Sequence, residues 1–147
     1  MKLYRPVGLE ELRLMFEMDM RGFPPRLPEQ PIFYPVLNEA YARQIARDWN
    51  TKSNSLAGFV TRFEVEDGYV SRFQRQVVGA RTHEELWVPA EELAEFNTHI
   101  IGPIEVIAAY FGEGYDGPVT TEEELANTTA AEQRGVLARI LTGVARG

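Results

Sequence analysis

His83-Glu84-Glu85-Leu86-Trp87-Val88-Pro89 is the stretch from which the chain is best read. Leu86-Trp87-Val88 is a compact apolar run, short for a helix and closed by a proline, and it predicts a strand. Pro89-Ala90-Glu91-Glu92-Leu93 then puts proline and acids where a helix starts. A first-turn proline gives up no helical hydrogen bond, and acids suit the positive helix end. Two acids stand at the head of this otherwise apolar strand. Burying an unpaired carboxylate is costly, so Glu85 either sits at a strand end facing a cleft or has a partner.

Working outward, the same logic places the other elements. Leu3-Tyr4 predicts a short strand stopped by Pro6, and Gly8 opens a helix in which Leu9, Leu12, Met15 and Phe16 recur at helical spacing. Phe23 to Pro31 holds Pro24, Pro25, Pro28 and Pro31, which predicts a stiff extended loop. Ile32-Phe33-Tyr34-Pro35-Val36 returns to strand character, and Asn38 is a good N-cap for a helix carrying Tyr41, Ile45 and Trp49 on one face and Arg43 and Arg47 on another.

Gly58–Val65 predicts a strand with Phe59, Phe63 and Val65 turned inward. Asp67 is expected to cap a short helix whose buried stripe is Val70, Phe73 and Val77. Gly102-Pro103 is expected to break the chain before a last strand, Ile104–Tyr110, and the glycine-rich stretch 112–118 reads as a loop. Thr129 with Glu132 forms a capping box for a final helix with Val136, Leu137, Ile140, Leu141 and Val144 on its apolar face. The sum is about five strands and four or five helices in irregular alternation, an α+β domain.

Composition narrows the function. A chain of 147 residues, 44% hydrophobic and 25% charged, is one globular domain's worth. With Cys 0 there are no disulfides, cysteine zinc sites or cysteine nucleophiles, which fits a reducing, cytoplasmic setting. The formal charge of −7 argues against nucleic acid and anionic membranes, because polyanion binders carry an excess of Lys and Arg. No window reaches the ~20 apolar residues that span a bilayer. His83 and His99 are the two histidines and show no HExxH spacing, so no metal site is expected. No serine lies in a sharp strand–turn–helix motif, which argues against a serine hydrolase, and no P-loop or GxGxxG is present, which argues against ATP and Rossmann-type dinucleotide binding.

Three residues remain as candidates for chemistry. Glu85 could hold a sugar hydroxyl and stabilise an oxocarbenium ion, or be a solvated strand end. Arg5 offers a planar fork for a phosphate or ribose, or is a surface arginine. Tyr34 could present a flat face to a heteroaromatic ring, or belong to the core.

The order Arg5-Pro6-Val7-Gly8, then Phe23–Val36 running into the Asn38 helix, then Glu85-Leu86-Trp87-Val88-Pro89 resembles the ADP-ribosyltransferase superfamily, and within it the bacterial proteins labelled ADP-ribosylation/crystallin. The resemblance runs from about Leu3 to Phe111. It implies a split β-sheet flanked by helices over residues 1–117, with residues 118–147 a C-terminal helical extension of the same domain.

It also implies NAD as the cofactor and substrate, bound in a central cleft. Arg5 and Glu85 would be the catalytic pair, and Arg5, Tyr34, Tyr41, Arg26 and His83 would bind the dinucleotide. The arginine-first, tyrosine-second set mixes the family's two branches. His83 stands where arginine-modifying members carry an acid or glutamine, so arginine is not the expected acceptor. A protein or small-molecule acceptor is favoured over nucleic acid. The alternatives are a catalytically silent relative acting as a binding or antitoxin-like module, and a structural protein without a ligand. The final helix, outside the resemblance, must bury its apolar face in the domain's own core or in a homodimer.

Overall fold

A computed structural model describes residues 1–77 and 83–145, with side chains as far as residue 142. Among these residues the order is β1 (Lys2–Gly8), α1 (Leu9–Glu17), β2 (Ile32–Phe33), α2 (Glu39–Asp48), β3 (Ala57–Val65), α3 (Asp67–Val70), β4 (Gln74–Val77), β5 (Glu84–Pro89), α4 (Leu93–Thr98), β6 (Ile100–Phe111), α5 (Glu122–Ala126) and α6 (Ala130–Ala145). The strands make two antiparallel three-stranded sheets, β1-β3-β6 and β2-β5-β4. The chain is therefore α+β with open antiparallel sheets.

Among the described residues the backbones of the two sheets are bridged through Val36, and a proline explains why they part beyond it. Tyr4 and Val36 exchange both backbone hydrogen bonds, at 2.9 and 2.8 Å, and Val36 in turn lies opposite Glu85. In an antiparallel ladder the next such pair would be Pro6 with Tyr34. Pro6 has no N–H to give the Tyr34 carbonyl, so the β1–β2 ladder stops after one rung. Against β3 the same proline costs nothing. It has the parity of Tyr4, whose N–H and C=O point away from β3, so Pro6 turns its missing N–H to the outer edge. The strand expected to stop at Pro6 consequently runs on to Gly8, in register with β3.

The large core lies on one face of the strands. Leu3, Val7, Phe33, Phe59, Phe63, Leu86 and Val88 meet Leu9, Leu12 and Met15 of α1 there, together with Leu137, Ile140 and Leu141 of α6. The inward turn of Phe59, Phe63 and Val65 matches the sequence reading. The apolar face of α6 is thus occupied by the chain's own core; the Val144 side chain lies outside the described residues. The capping box forms reciprocally, with Thr129 N–H donating to the Glu132 carboxylate and Glu132 N–H to Thr129 Oγ1. The proline-rich loop is pinned by Phe23, whose ring packs 5.0 Å from Phe33 and 4.9 Å from Phe63 and whose backbone pairs both ways with the Asn97 amide.

On the opposite face α2 covers a smaller cluster of Val36, Val60 and Ala108, with Tyr4 and Tyr41 at its margin. It packs through Ala42 and Ala46, while Trp49 on the Tyr41–Ile45 side is 70% exposed. The approach is close enough that a Cβ on Gly58 would lie 2.3 Å from the Ala46 carbonyl oxygen.

Several expectations are corrected. The short helix ends at Val70, and Gln74–Val77 is instead the outer strand β4, with Val77 59% exposed, because β5 offers an open edge to pair with. Asp67 lies inside α3 rather than capping it, and its carboxylate accepts from the Met1 amino group. Gly102-Pro103 does not break the chain. Gly102, at φ 75°, absorbs an irregularity in the β3–β6 register, and the strand continues on both sides of it. Ile32–Val36 is a strand only as far as Phe33, with Pro35 leaving Val36 as an isolated bridge. A short helix, α5, was missed although Thr121 with Glu124 carries a capping signal, and Thr121 Oγ1 does accept from Glu124 N–H.

Candidate functional site

Strand alternation decides where each candidate side chain points. Leu86 and Val88 enter the large core, so Glu85 and Trp87 turn to the other face of β5. Glu85 lies directly opposite Val36, which belongs to the cluster under α2, and there the N-terminal turn of α2 brings Tyr41 over it. Asn38 fixes that turn by accepting Tyr41 N–H at 3.0 Å.

The half-buried Glu85 carboxylate is held at both oxygens. Tyr41 Oη donates to Oε2 at 3.1 Å and Trp87 Nε1 donates to Oε1 at 3.2 Å. Each of these two rings packs on another aromatic side chain. Tyr41 stacks on His83 at 4.2 Å with planes 12° apart, and Tyr34 meets Trp87 edge-on at 5.9 Å. Burial pushes the Tyr41 phenol up to about 12, and the Glu85 charge beside it adds to the shift. Tyr41 therefore stays protonated at neutral pH, a donor to Glu85 and not a base.

Arg5 lies on the other face. With Leu3 and Val7 it turns toward the large core, where it is 8% exposed. Its guanidinium binds Glu11 of α1 through Nε at 2.7 Å and Nη2 at 3.0 Å, sits 4.7 Å over the Phe33 ring, and directs Nη1 at the Tyr34 carbonyl at 3.4 Å. Arg26, from the proline-rich loop, donates Nε to the Ile32 carbonyl at 3.1 Å. Ile32 and Tyr34 share a parity, so the Ile32 carbonyl of β2 and that of Tyr34, the residue just after the strand, both face the gap left by β1. The two arginines do there what β1 cannot.

The structure thus brings Tyr41 and Trp87 onto the Glu85 carboxylate, with His83 stacked on Tyr41 and Tyr34 against Trp87, and it places Arg5 and Arg26 on the carbonyls beside the β1–β2 gap. Tyr34 joins the groups, its carbonyl facing Arg5 and its ring facing Trp87. Neither Trp87, read from the sequence only as a strand residue, nor Glu11 is among the residues expected at the site. Trp87 could have been found from alternation, two residues beyond Glu85 on the same face. Glu11 could not, because its pairing with Arg5 depends on how α1 folds back over β1. A cavity of about 480 Å³ between the start of α1, Asn54–Leu56 and Gly114–Gly117 contains none of these residues. Compared with protein-family models, curated proteins and solved structures, the chain matches none.

Proposed function

We propose that the chain is an ADP-ribosyltransferase-like protein that acts on NAD at Glu85. The observation that carries this is the Glu85 carboxylate, oriented at both oxygens by Tyr41 and Trp87, whose rings pack in turn on His83 and Tyr34. A fixed anion among aromatic faces suits a positively charged heteroaromatic ring and the sugar attached to it, since ring faces attract cations and a half-buried carboxylate acts through less screening than in water.

NAD supplies a nicotinamide–ribose bond whose cleavage puts positive charge on the sugar. Glu85 would accept a hydrogen bond from the ribose 2′-hydroxyl and stabilise that charge as nicotinamide departs. Tyr41 and Trp87 keep the carboxylate aimed, so no reorganisation is needed as charge develops. Tyr34, with Arg5 holding its backbone, walls the nicotinamide side. The acceptor is a protein or small molecule.

A catalytically silent relative is the second reading, and one observation favours it. Arg5 is paired with Glu11 and faces away from Glu85. Nicotinamide release separates the two. The active reading expects release by the wild type and a fall on the order of 10²–10³ in Glu85→Gln. No release by the wild type, with stabilisation by NAD, would establish a silent binder. Equal release from both proteins would remove Glu85 from the chemistry.

A further inference from the structure

We propose that the gap between β1 and β2 is a binding site for a phosphate-type anion and that Arg26, rather than Arg5, is the residue that reads it. Where the β1–β2 ladder fails at Pro6, Ile32 and Tyr34 turn their carbonyls into the gap, and each is taken by one guanidinium: Tyr34 by Arg5 and Ile32 by Arg26. The strand parity that aligns these carbonyls also sets the two arginines side by side.

Their remaining donors differ. Arg5 spends its other edge on both oxygens of Glu11 and is buried. Arg26 is half-buried, and among the described residues its Nη groups meet neither a carboxylate nor a carbonyl. The cluster of Arg5, Glu11 and Arg26 therefore carries one uncompensated positive charge, and it belongs to Arg26. Its guanidinium lies below the usual arginine range, lowered by burial first and by the Arg5 charge second, with the Glu11 charge acting the other way. The fork of a guanidinium with its Nε already anchored presents its Nη pair in a fixed plane, the geometry that suits bidentate phosphate binding. Phe23 and the surrounding prolines hold the loop that carries it.

That the anion is the pyrophosphate of a dinucleotide rests on the proposed function; the anion site itself does not. Inorganic pyrophosphate and ADP are therefore the probes, added to the full chain in phosphate-free buffer at matched ionic strength, with thermal unfolding as the readout. The wild type is expected to gain a saturable rise in Tm, with ADP the stronger ligand if a nucleotide is the natural one. Arg26→Gln should weaken both at least tenfold, the loss of one charge-assisted guanidinium–phosphate pair. Arg75→Gln removes the same charge from the exposed strand β4 and should match the wild type. If the glutamine variant fails to fold, Arg26→Lys, which keeps the charge but not the fork, should show the same weakening. The proposal is overturned if the wild type shows no rise with either probe, if an Arg26 variant that folds responds like the wild type, or if Arg75→Gln loses the response equally. Nicotinamide release measured on the same samples reads the proposed function separately: release without a pyrophosphate response sinks the anion site alone, and the reverse sinks the chemistry alone.

Discussion

Replacing Glu11 by leucine leaves the Arg5 guanidinium in the core with the Tyr34 carbonyl and the Phe33 ring for company. Two charge-assisted hydrogen bonds, at 2.7 and 3.0 Å, disappear. Removing one partner of a buried ion pair costs roughly 3–5 kcal/mol, chiefly because the other charge stays desolvated. Here the Arg5 side chain is 10% exposed and that of Glu11 22% exposed, so water can reach the vacated side and the lower end applies, about 3 kcal/mol. In a chain of this length that is a fall in Tm of roughly 6–12 °C. The complementary variant carries Arg5→Met together with Glu11→Leu. Buried ion pairs replaced by apolar residues of similar size are often neutral, so the double variant should return to within about 1 kcal/mol of the wild type, the residue being the lost donor to Tyr34. Urea unfolding of the wild type, both single variants and the double closes the cycle. Single variants that each cost under about 0.5 kcal/mol would mean that the pair behaves like an exposed surface bridge and that Arg5 is free to bind a ligand. A double variant as unstable as the sum of the singles would refute the coupling.

Three other expectations follow from packing and charge. Gly58→Ala forces a methyl against the Ala46 carbonyl, with 2.3 Å between them before relaxation, and should cost about 1–3 kcal/mol by urea unfolding; a neutral result would show that α2 can ride outward freely. Gln133→Leu strips Val106 of both side-chain partners of its backbone, the N–H at 2.9 Å and the carbonyl at 3.0 Å, and should cost about 2 kcal/mol while opening the outer edge of β6 to pairing. Light scattering that stays at the wild-type level under mild heating would count against the edge argument. Burial also lifts the Tyr69 phenol to about 12, as it does for Tyr41, with Glu95 and Glu85 as the respective neighbouring charges. Both folded values lie above the ordinary 10, so the protonated phenols' contribution is intact below pH 10 and is lost as pH rises toward 12. Absorbance at the phenolate band should show Tyr41 and Tyr69 among the last to ionise, and Tyr41→Phe should delete one late step; full titration near pH 10 would contradict the buried Glu85–Tyr41 contact.

How far the sequence could be read depended on whether a signal was local. Helical periodicity found α1, the Asn38 and Thr129 caps found the starts of α2 and α6, and alternation found β3, because each of these is written within a few residues. Strand β4 escaped, since Gln74-Arg75-Gln76-Val77 has no β-signature of its own and exists as a strand by pairing with β5. The same limit applied to the site. Glu85 could be singled out as an acid heading an apolar strand, and its donor Trp87 follows from alternation two residues along, yet the tertiary turn that brings its other donor, Tyr41 of α2, over it leaves no mark on the sequence. Arg5 was legible as a polar group in a strand, but not which face it would choose. The core side was decided by Leu3 and Val7 sharing its parity, and Glu11 makes that choice tolerable.

Pro6 links the fold to the site. With any other residue there, an N–H would reach for the Tyr34 carbonyl and the β1–β2 ladder could run on for another rung. Arg5 Nη1 would then lose the acceptor it reaches for, and Arg26 would face a closing seam. Pro6→Val is therefore expected to do more than relax a ring. It adds a β-branched residue of high strand propensity on the outer edge of β1 and supplies the missing donor. The chain should keep or gain stability while losing solvent access at the gap, because a backbone hydrogen bond replaces a longer side-chain one. Amide hydrogen exchange decides it: residue 6 should acquire a protected N–H, and the Tm should hold within about 2 °C, which at this chain length corresponds to less than about 1 kcal/mol. Any pyrophosphate response should shrink with it, although Arg26 itself is untouched. An unprotected amide at residue 6, with the anion response unchanged, would mean that the split is imposed by the packing of α1 and the proline-rich loop, and that the missing N–H is incidental to it.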